Sequence, residues 1–198
     1  MKNILVTGGA GFIGSNLIKK LIEKGCDVTS IDNYSTGTNE NEVSGAKYIN
    51  DDIENICKLK KNFDICFHLA AQSLVKTSYD DPVLTFKSNS IGTLNILESL
   101  RKMNHRCVSV IITSDKAYDN VEWVWGYRET DRLGGKDPYS ASKGAAELAI
   151  RSFVRSYFPK DGLVRIGVGR AGNVIGGGDW AADRIVPDCI RAWAMGNE

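Results

Sequence analysis

The stretch Thr7-Gly8-Gly9-Ala10-Gly11-Phe12-Ile13-Gly14 stands between a short apolar run at 4–6 and a segment of helical period at 12–24. A glycine-rich turn that ends a strand and opens a helix is the start of a βαβ unit, and that setting narrows the fold more than any other feature of the chain. The same alternation continues to the end. Apolar runs at 28–31, 47–49, 64–69, 108–113 and 163–168 are separated by longer amphipathic segments, which predicts six parallel strands with helices on both faces. In the first helix Ile13, Leu17 and Leu21 form one stripe and Lys19, Lys20, Glu23 and Lys24 another, as expected of a helix laid on a sheet. Segments 82–101 and 140–157 read the same way, the first opening on Asp80, Asp81 and Pro82, where acids and a proline suit a helix start. A shorter helical pattern covers 186–193. Segment 119–138 is a long connection rich in glycine and charge, and loops of that length in compact domains tend to carry function.

The expected architecture is therefore α/β, a Rossmann-type doubly wound parallel sheet over residues 1–172, with 173–198 as only the beginning of a C-terminal substrate domain. An apolar content of 42% is that of an ordinary globular protein, and 25 basic residues against 24 acidic ones leave no field to hold nucleic acid or an anionic membrane surface. Small molecules and copies of the chain itself remain as partners, a homodimer being expected. No apolar stretch approaches the roughly 20 residues of a membrane span, and the start shows no secretory succession. The five cysteines are odd in number and form no CxxC pair, which fits a reduced, cytoplasmic setting; all five read as buried fillers. No His, Cys and carboxylate group has metal-ligand spacing, so no metal is expected.

Gly8, Gly11 and Gly14 let backbone N–H groups approach a pyrophosphate, with Phe12 and Ile13 opening the helix whose positive end faces it. Asp32 ends the second apolar run 18 residues beyond Gly14, where a carboxylate accepts both hydroxyls of an adenosine ribose and repels a 2′-phosphate. That favours NAD over NADP. Asn33 adjoins it. Asp51-Asp52-Ile53 follows the third run and either faces the adenine or forms a surface turn or helix cap.

Tyr139-Ser140-Ala141-Ser142-Lys143 puts a phenol and an ammonium one helical turn apart on one face. With the glycine turn, Asp32 and a strand ending at Thr113-Ser114, this resembles the active site of the extended short-chain dehydrogenases/reductases, in the NAD-dependent epimerase/dehydratase family. Within the family the likeness runs to the CDP-glucose 4,6-dehydratases. It is carried by His68-Leu69-Ala70-Ala71-Gln72-Ser73-Leu74-Val75, Thr113-Ser114-Asp115-Lys116, Trp123-Val124-Trp125-Gly126-Tyr127-Arg128-Glu129, Gly134-Gly135-Lys136-Asp137-Pro138-Tyr139 and Arg170-Ala171-Gly172-Asn173-Val174-Ile175-Gly176-Gly177-Gly178-Asp179-Trp180. The start of the chain, 9–17 and 31–35, looks more like the sugar epimerases and other dehydratases.

The resemblance implies that Tyr139 removes a sugar hydroxyl proton, that Lys143 lowers the tyrosine pKa and holds the nicotinamide ribose, and that Ser114 hydrogen-bonds the substrate oxygen. It implies an NAD cofactor and a nucleotide-sugar substrate. Asp115 and Lys116 occupy the place of the acid and base pair of related dehydratases. Asp115 would protonate the leaving C6 oxygen if burial raised its pKa; Lys116 would take the C5 proton if desolvated, or else stabilise the enolate as a cation. Leu69, Ala70 and Ala71 would run beside the cofactor, Asn89 would shape the backbone there, and Ser73, Asn173 and Arg184 would meet the nucleotide sugar. His68 reads as a hydrogen-bonded strand-end residue. Two other outcomes stay open at this point: an epimerase or dehydratase for a different nucleotide sugar, and an NAD-binding module without turnover.

Overall fold

The computed structural model describes residues 1–59, 61–181 and 183–196. Strands β1 (Asn3–Thr7), β2 (Asp27–Asp32), β3 (Lys47–Asn50), β4 (Ile65–His68), β5 (Cys107–Ser114) and β6 (Val164–Ala171) pair in parallel in the order β3-β2-β1-β4-β5-β6. The chain builds outward from β1 on one side and then, from β4, on the other. At the reversal the connections leave in opposite directions, so a crevice opens beyond the carboxyl ends of β1 and β4. The glycine turn, Asp32, Leu69 and Ser114 each directly follow or end one of these strands and so share one edge of the sheet.

The period of two in β1 divides the core. Ile4 and Val6 pack with Ile18 of α1 (Phe12–Glu23) and Val28, whereas Leu5 joins Ile31, Phe63, Ile96 and Leu100 on the opposite face. Both faces are covered, and the parallel strands accordingly read as continuous apolar runs. Cys66 and Cys107 lie in this core, and burial pushes the Cys66 thiol up to about 12. The other three cysteines are not buried fillers: Cys26 and Cys189 are half-buried and Cys57 is exposed. Among the described residues no helix is long and apolar enough to cross a membrane.

The helix expected over 82–101 departs from its simple form. A short helix α2 (Val75–Asp80) precedes it, and the span itself divides into α3 (Pro82–Phe86), a π turn (Lys87–Ile91) and α4 (Gly92–Arg101). The Asp81 carboxylate accepts the Leu84 N–H at 2.8 Å and starts α3, with Pro82 at its first position. The π turn adds a residue to the coil and places Asn89 and Ser90 inward, buried against the next helix. Apolar spacing on either side is preserved, so the pattern alone conceals the turn. Helix α5 (Pro138–Tyr157) begins two residues earlier than the periodicity predicts, because Asp137 caps it: its Oδ1 accepts the Ser140 N–H at 2.9 Å and its Oδ2 the Ser140 hydroxyl at 2.6 Å. Helix α6 (Ile185–Ala194) is one residue longer at each end than its pattern.

Candidate active site

Two of the three spaced glycines are required by the protein's own backbone. Gly8 has φ +76°, and a Cβ there would stand 2.8 Å from the Ala70 amide nitrogen; one at Gly14 would stand 2.1 Å from the Gly8 carbonyl oxygen. Gly11 serves differently. It is the N-cap of α1 and offers no side chain to the first turn, which also holds no acidic residue. The N–H groups at that end are left for an anionic ligand, with Ile13 partly exposed beside them. Asp32 is aimed by two backbone donors: Oδ2 accepts the Ala10 N–H and Oδ1 the Tyr34 N–H, both at 2.9 Å. The carboxylate thus binds the glycine turn to the end of β2 and keeps lone pairs for a further donor. An uncapped helix end beside a fixed carboxylate suits the pyrophosphate and ribose of a dinucleotide. Farther out, the Asn33 amide donates to Asp52 Oδ2 at 2.9 Å, and Asp52 Oδ1 accepts the Glu54 N–H at 3.0 Å. Of the readings open for Asp52, the helix cap is the one observed, on the 3-10 turn Ile53–Lys58.

His68 forms a strut beneath the crevice. Its Nδ1 lies 2.8 Å from the Thr7 hydroxyl and its Nε2 3.3 Å from that of Thr93. Thr93 donates its own proton to the Asn89 carbonyl at 2.7 Å, so Nε2 must be the donor to it and Nδ1 the acceptor from Thr7. Thr7 Oγ1 in turn accepts the N–H groups of Leu69 and Ala70 at 3.2 Å each. Those two amides are therefore spent within the protein, and the Ala70 backbone is pressed on Gly8 rather than left bare. Burial, with the Lys143 charge adding to it, pushes His68 down to about 3 from 6.5. Because the folded state resists a proton that the unfolded chain takes up near 6.5, stability is complete above that pH and falls as pH drops toward 3. Between pH 7 and pH 5 the loss should be about 2 kcal/mol. Denaturant titrations at the two pH values check this, and His68→Gln should flatten the difference; an equal drop in the variant would assign the loss elsewhere.

The candidate catalytic groups converge at the ends of β5 and α5. Asn89 Oδ1 accepts the Gln72 N–H at 2.9 Å, while its Nδ2 donates to the Gln72 carbonyl at 3.0 Å and to Ser142 Oγ at 2.9 Å. It pins the segment after β4 to α5, next to Tyr139 and Lys143. Tyr139 is buried, as is Ser114, and burial pushes the phenol up, partly offset by the nearby Ser114 hydroxyl and by the Arg184 charge. The phenol is thus raised rather than lowered. Lys143 sits 5.9 Å from the Tyr139 ring centre, 7% exposed, and burial pushes it down to about 8. Ser114 donates to Asp115 Oδ1 at 3.1 Å and accepts the Lys116 N–H at 3.2 Å, capping the tight turn that presents both side chains. Asp115 and Lys116 are exposed. Among the described residues nothing supplies the burial that an acid at Asp115 requires.

The three residues expected to meet a substrate are only partly together. Arg184 Nη2 donates to Ser73 Oγ at 3.3 Å, across the mouth of the crevice, and its Nε is 4.0 Å from Asp179. Asn173 stands apart on an exposed stretch that returns over the glycine turn: a Cβ at Gly176 would lie 3.0 Å from the Phe12 ring, and Asn16 donates to the Gly177 carbonyl at 3.3 Å. Sequence reasoning gave no role to Thr7, Thr93, Gln72, the buried Glu147 or the half-buried Arg170. Thr7 carries a local signal as the hydroxyl immediately ahead of the glycines, and Gln72 and Arg170 lie in segments that carry the resemblance.

A family model described as GDP-mannose 4,6 dehydratase matches residues 5–160. The chain is 42% identical over 208 aligned residues to a CDP-glucose 4,6-dehydratase of Salmonella typhimurium, covering 97% of this chain and 57% of that protein. Among solved structures, a UDP-glucose 4-epimerase of Thermotoga maritima with UDP-glucose superposes with TM-score 0.86 at 33% identity, over 99% of this chain and 64% of that one. A UDP-glucose 4-epimerase of Thermus thermophilus in complex with NAD gives TM-score 0.80 at 33% identity, over 91% and 58%. The chain spans little more than half the length of the curated relatives it matches. With its βαβ glycine turn, its Tyr139 and Lys143 pair and this match over most of its length, the chain belongs to the GDP-mannose 4,6-dehydratase family of the NAD-dependent epimerases and dehydratases, within the extended short-chain dehydrogenases/reductases.

Proposed function

We propose that the chain is the NAD-binding part of a cytoplasmic nucleotide-sugar 4,6-dehydratase that converts CDP-glucose to its 4-keto-6-deoxy product. Residues 1–172 make the dinucleotide domain, the sixth strand ending at Ala171, and 173–198 begin the substrate-binding region. The observation that carries the reading is the grouping of Tyr139, Lys143 and Ser114 with Asp115 and Lys116 at one edge of the sheet, in a chain similar to a CDP-glucose 4,6-dehydratase.

Gly11 and the start of α1 bind the pyrophosphate, and Asp32 the adenosine ribose. Tyr139 takes the proton of the C4 hydroxyl, with Ser114 holding that oxygen and Lys143 supplying positive charge. When bound at that cradle, NAD would supply reversible hydride acceptance, from C4 first and back to C6 at the end. The resulting ketone acidifies C5. Lys116 takes the C5 proton or stabilises the enolate, Asp115 gives a proton to the C6 oxygen, and water leaves as a C5–C6 double bond forms. Ser73, Arg184 and Asn173 hold the nucleotide diphosphate. The protein acts as a homodimer through the exposed Val83, Phe86, Ile91 and Leu148, an apolar surface unusual in a monomer.

The test is the product mass from a panel of nucleotide sugars with NAD, using the protein as its natural reading frame encodes it. CDP-glucose should give a product lighter by one water; intact sugar would overturn the reading. A 4-epimerase is the second reading, favoured by the start of the chain and by the similarity to UDP-glucose 4-epimerases. Titration of both cofactors should show NAD binding in preference to NADP, and Asp32→Ala should narrow the gap. Equal affinities in the unaltered chain would remove Asp32 from the ribose.

A further inference from the structure

One turn of α5 beyond Lys143, the Glu147 side chain is 6% exposed and the Arg170 side chain that meets it 14%. Arg170 donates from Nε to Glu147 Oε1 at 2.6 Å and from Nη2 to Oε2, a bidentate fork, and Oε1 also accepts the Thr113 hydroxyl at 2.7 Å. A buried ion pair is a poor source of net stability, because desolvation offsets most of the attraction. Its third edge and its face do something else. Nη1 donates to the Glu129 carbonyl at 3.2 Å, and the guanidinium lies 4.6 Å from the Tyr118 ring centre. Tyr118 stacks on Tyr127 at 5.0 Å, and Trp123 lies against Tyr127 at 5.5 Å. Tyr127 is fixed through its hydroxyl, which donates to Asn120 Oδ1 and accepts the Val121 N–H, both at 2.8 Å.

The base of this connection is held separately. Gly134 N–H donates to the Ala117 carbonyl at 3.0 Å, and a Cβ at Gly135 would stand 2.2 Å from the Ala141 amide of α5. Above that base, among the described residues, the one hydrogen bond from 120–132 to anything outside the connection is the bond from Arg170 to Glu129. Trp123 and Trp125 at its tip are 48% and 74% exposed. Large amphipathic rings so presented suit the face of a sugar or a base.

We propose that Arg170 is a positioning residue that latches this aromatic connection to the helix carrying Tyr139 and Lys143, and so sets where Trp123 and Trp125 meet the substrate. The substrate part rests on the nucleotide-sugar reading above; the latch itself does not. Arg170→Met combined with Glu147→Leu removes both charges, leaving neither buried alone. Arg170→Lys keeps the charge but has neither the fork nor the third edge. In the double variant, hydrogen exchange of residues 120–132 should accelerate about tenfold or more, with β1, β4 and α1 unchanged and NAD affinity kept. KM for the nucleotide sugar should rise about tenfold while kcat changes little, and Arg170→Lys should fall between. Unchanged exchange in 120–132 would overturn the latch, and so would an equal loss of protection across the whole sheet, the mark of a merely structural pair. A fall in kcat at constant KM would overturn the substrate part. Absence of turnover with every nucleotide sugar in the unaltered protein would instead sink the dehydratase reading, while the exchange result would still decide the latch.

Discussion

Tyr139→Phe should lower turnover on the order of 10²-fold or more while leaving NAD affinity nearly unchanged. The ring packs in the mouth of the crevice, and Phe fills the same space, so the substitution removes one hydroxyl and no packing. The neighbouring Ser114 hydroxyl, proposed to hold the substrate oxygen, partly offsets the effect of burial on that phenol. Burial raises the phenol, which is therefore protonated at neutral pH before cofactor and substrate arrive. In the proposed mechanism Lys143, itself pushed down to about 8, is the cation that stabilises the phenolate. Stopped-flow and steady-state assays of the variant, alongside an NAD titration, decide the matter. Near-normal turnover would show that another group takes the proton.

The second large effect concerns elimination. Asp115→Asn keeps the size of the side chain and its capacity to accept the Ser114 hydroxyl, but it cannot give a proton to the C6 oxygen. Hydroxide is a poor leaving group without a donor, whereas oxidation at C4 needs no donor at C6. The variant should therefore oxidise its substrate and stall, with a 4-keto sugar that retains its C6 oxygen detectable by mass in a single turnover. Product formation should fall roughly 10²-fold or more, the usual contribution of a general acid. Lys116→Ala should slow solvent deuterium entry at C5. If both variants lose only affinity for the nucleotide sugar and eliminate normally, these two side chains merely position it.

The sheet was legible because parallel strands buried on both faces read as uninterrupted apolar runs, and the glycine turn marks where β1 hands over to α1. Tyr139 and Lys143 were legible because one helical turn fixes their spacing. The helix around Asn89 was read as regular, since a π turn preserves the apolar period on either side of it. Asp137-Pro138 did carry a local signal for the earlier start of α5, a cap followed by a proline, which periodicity alone overlooks. The His68 strut and the Arg170 fork had no such signal. Thr7, His68 and Thr93 meet across 61 and 25 residues, and Arg170 and Glu147 across 23, so only the fold brings them together. The exposure of Asp115 was likewise invisible, because it depends on how the crevice is covered.

Dehydration and epimerisation share the first oxidation and part at the fate of one hydrogen. CDP-glucose carrying deuterium at C4, turned over with NAD in ordinary water, separates them in a single product spectrum. The mechanism built on Tyr139, Asp115 and Lys116 predicts a product lighter by one water, with the deuterium at C6 and a solvent hydrogen at C5. A product of unchanged composition with the deuterium still at C4 would contradict it.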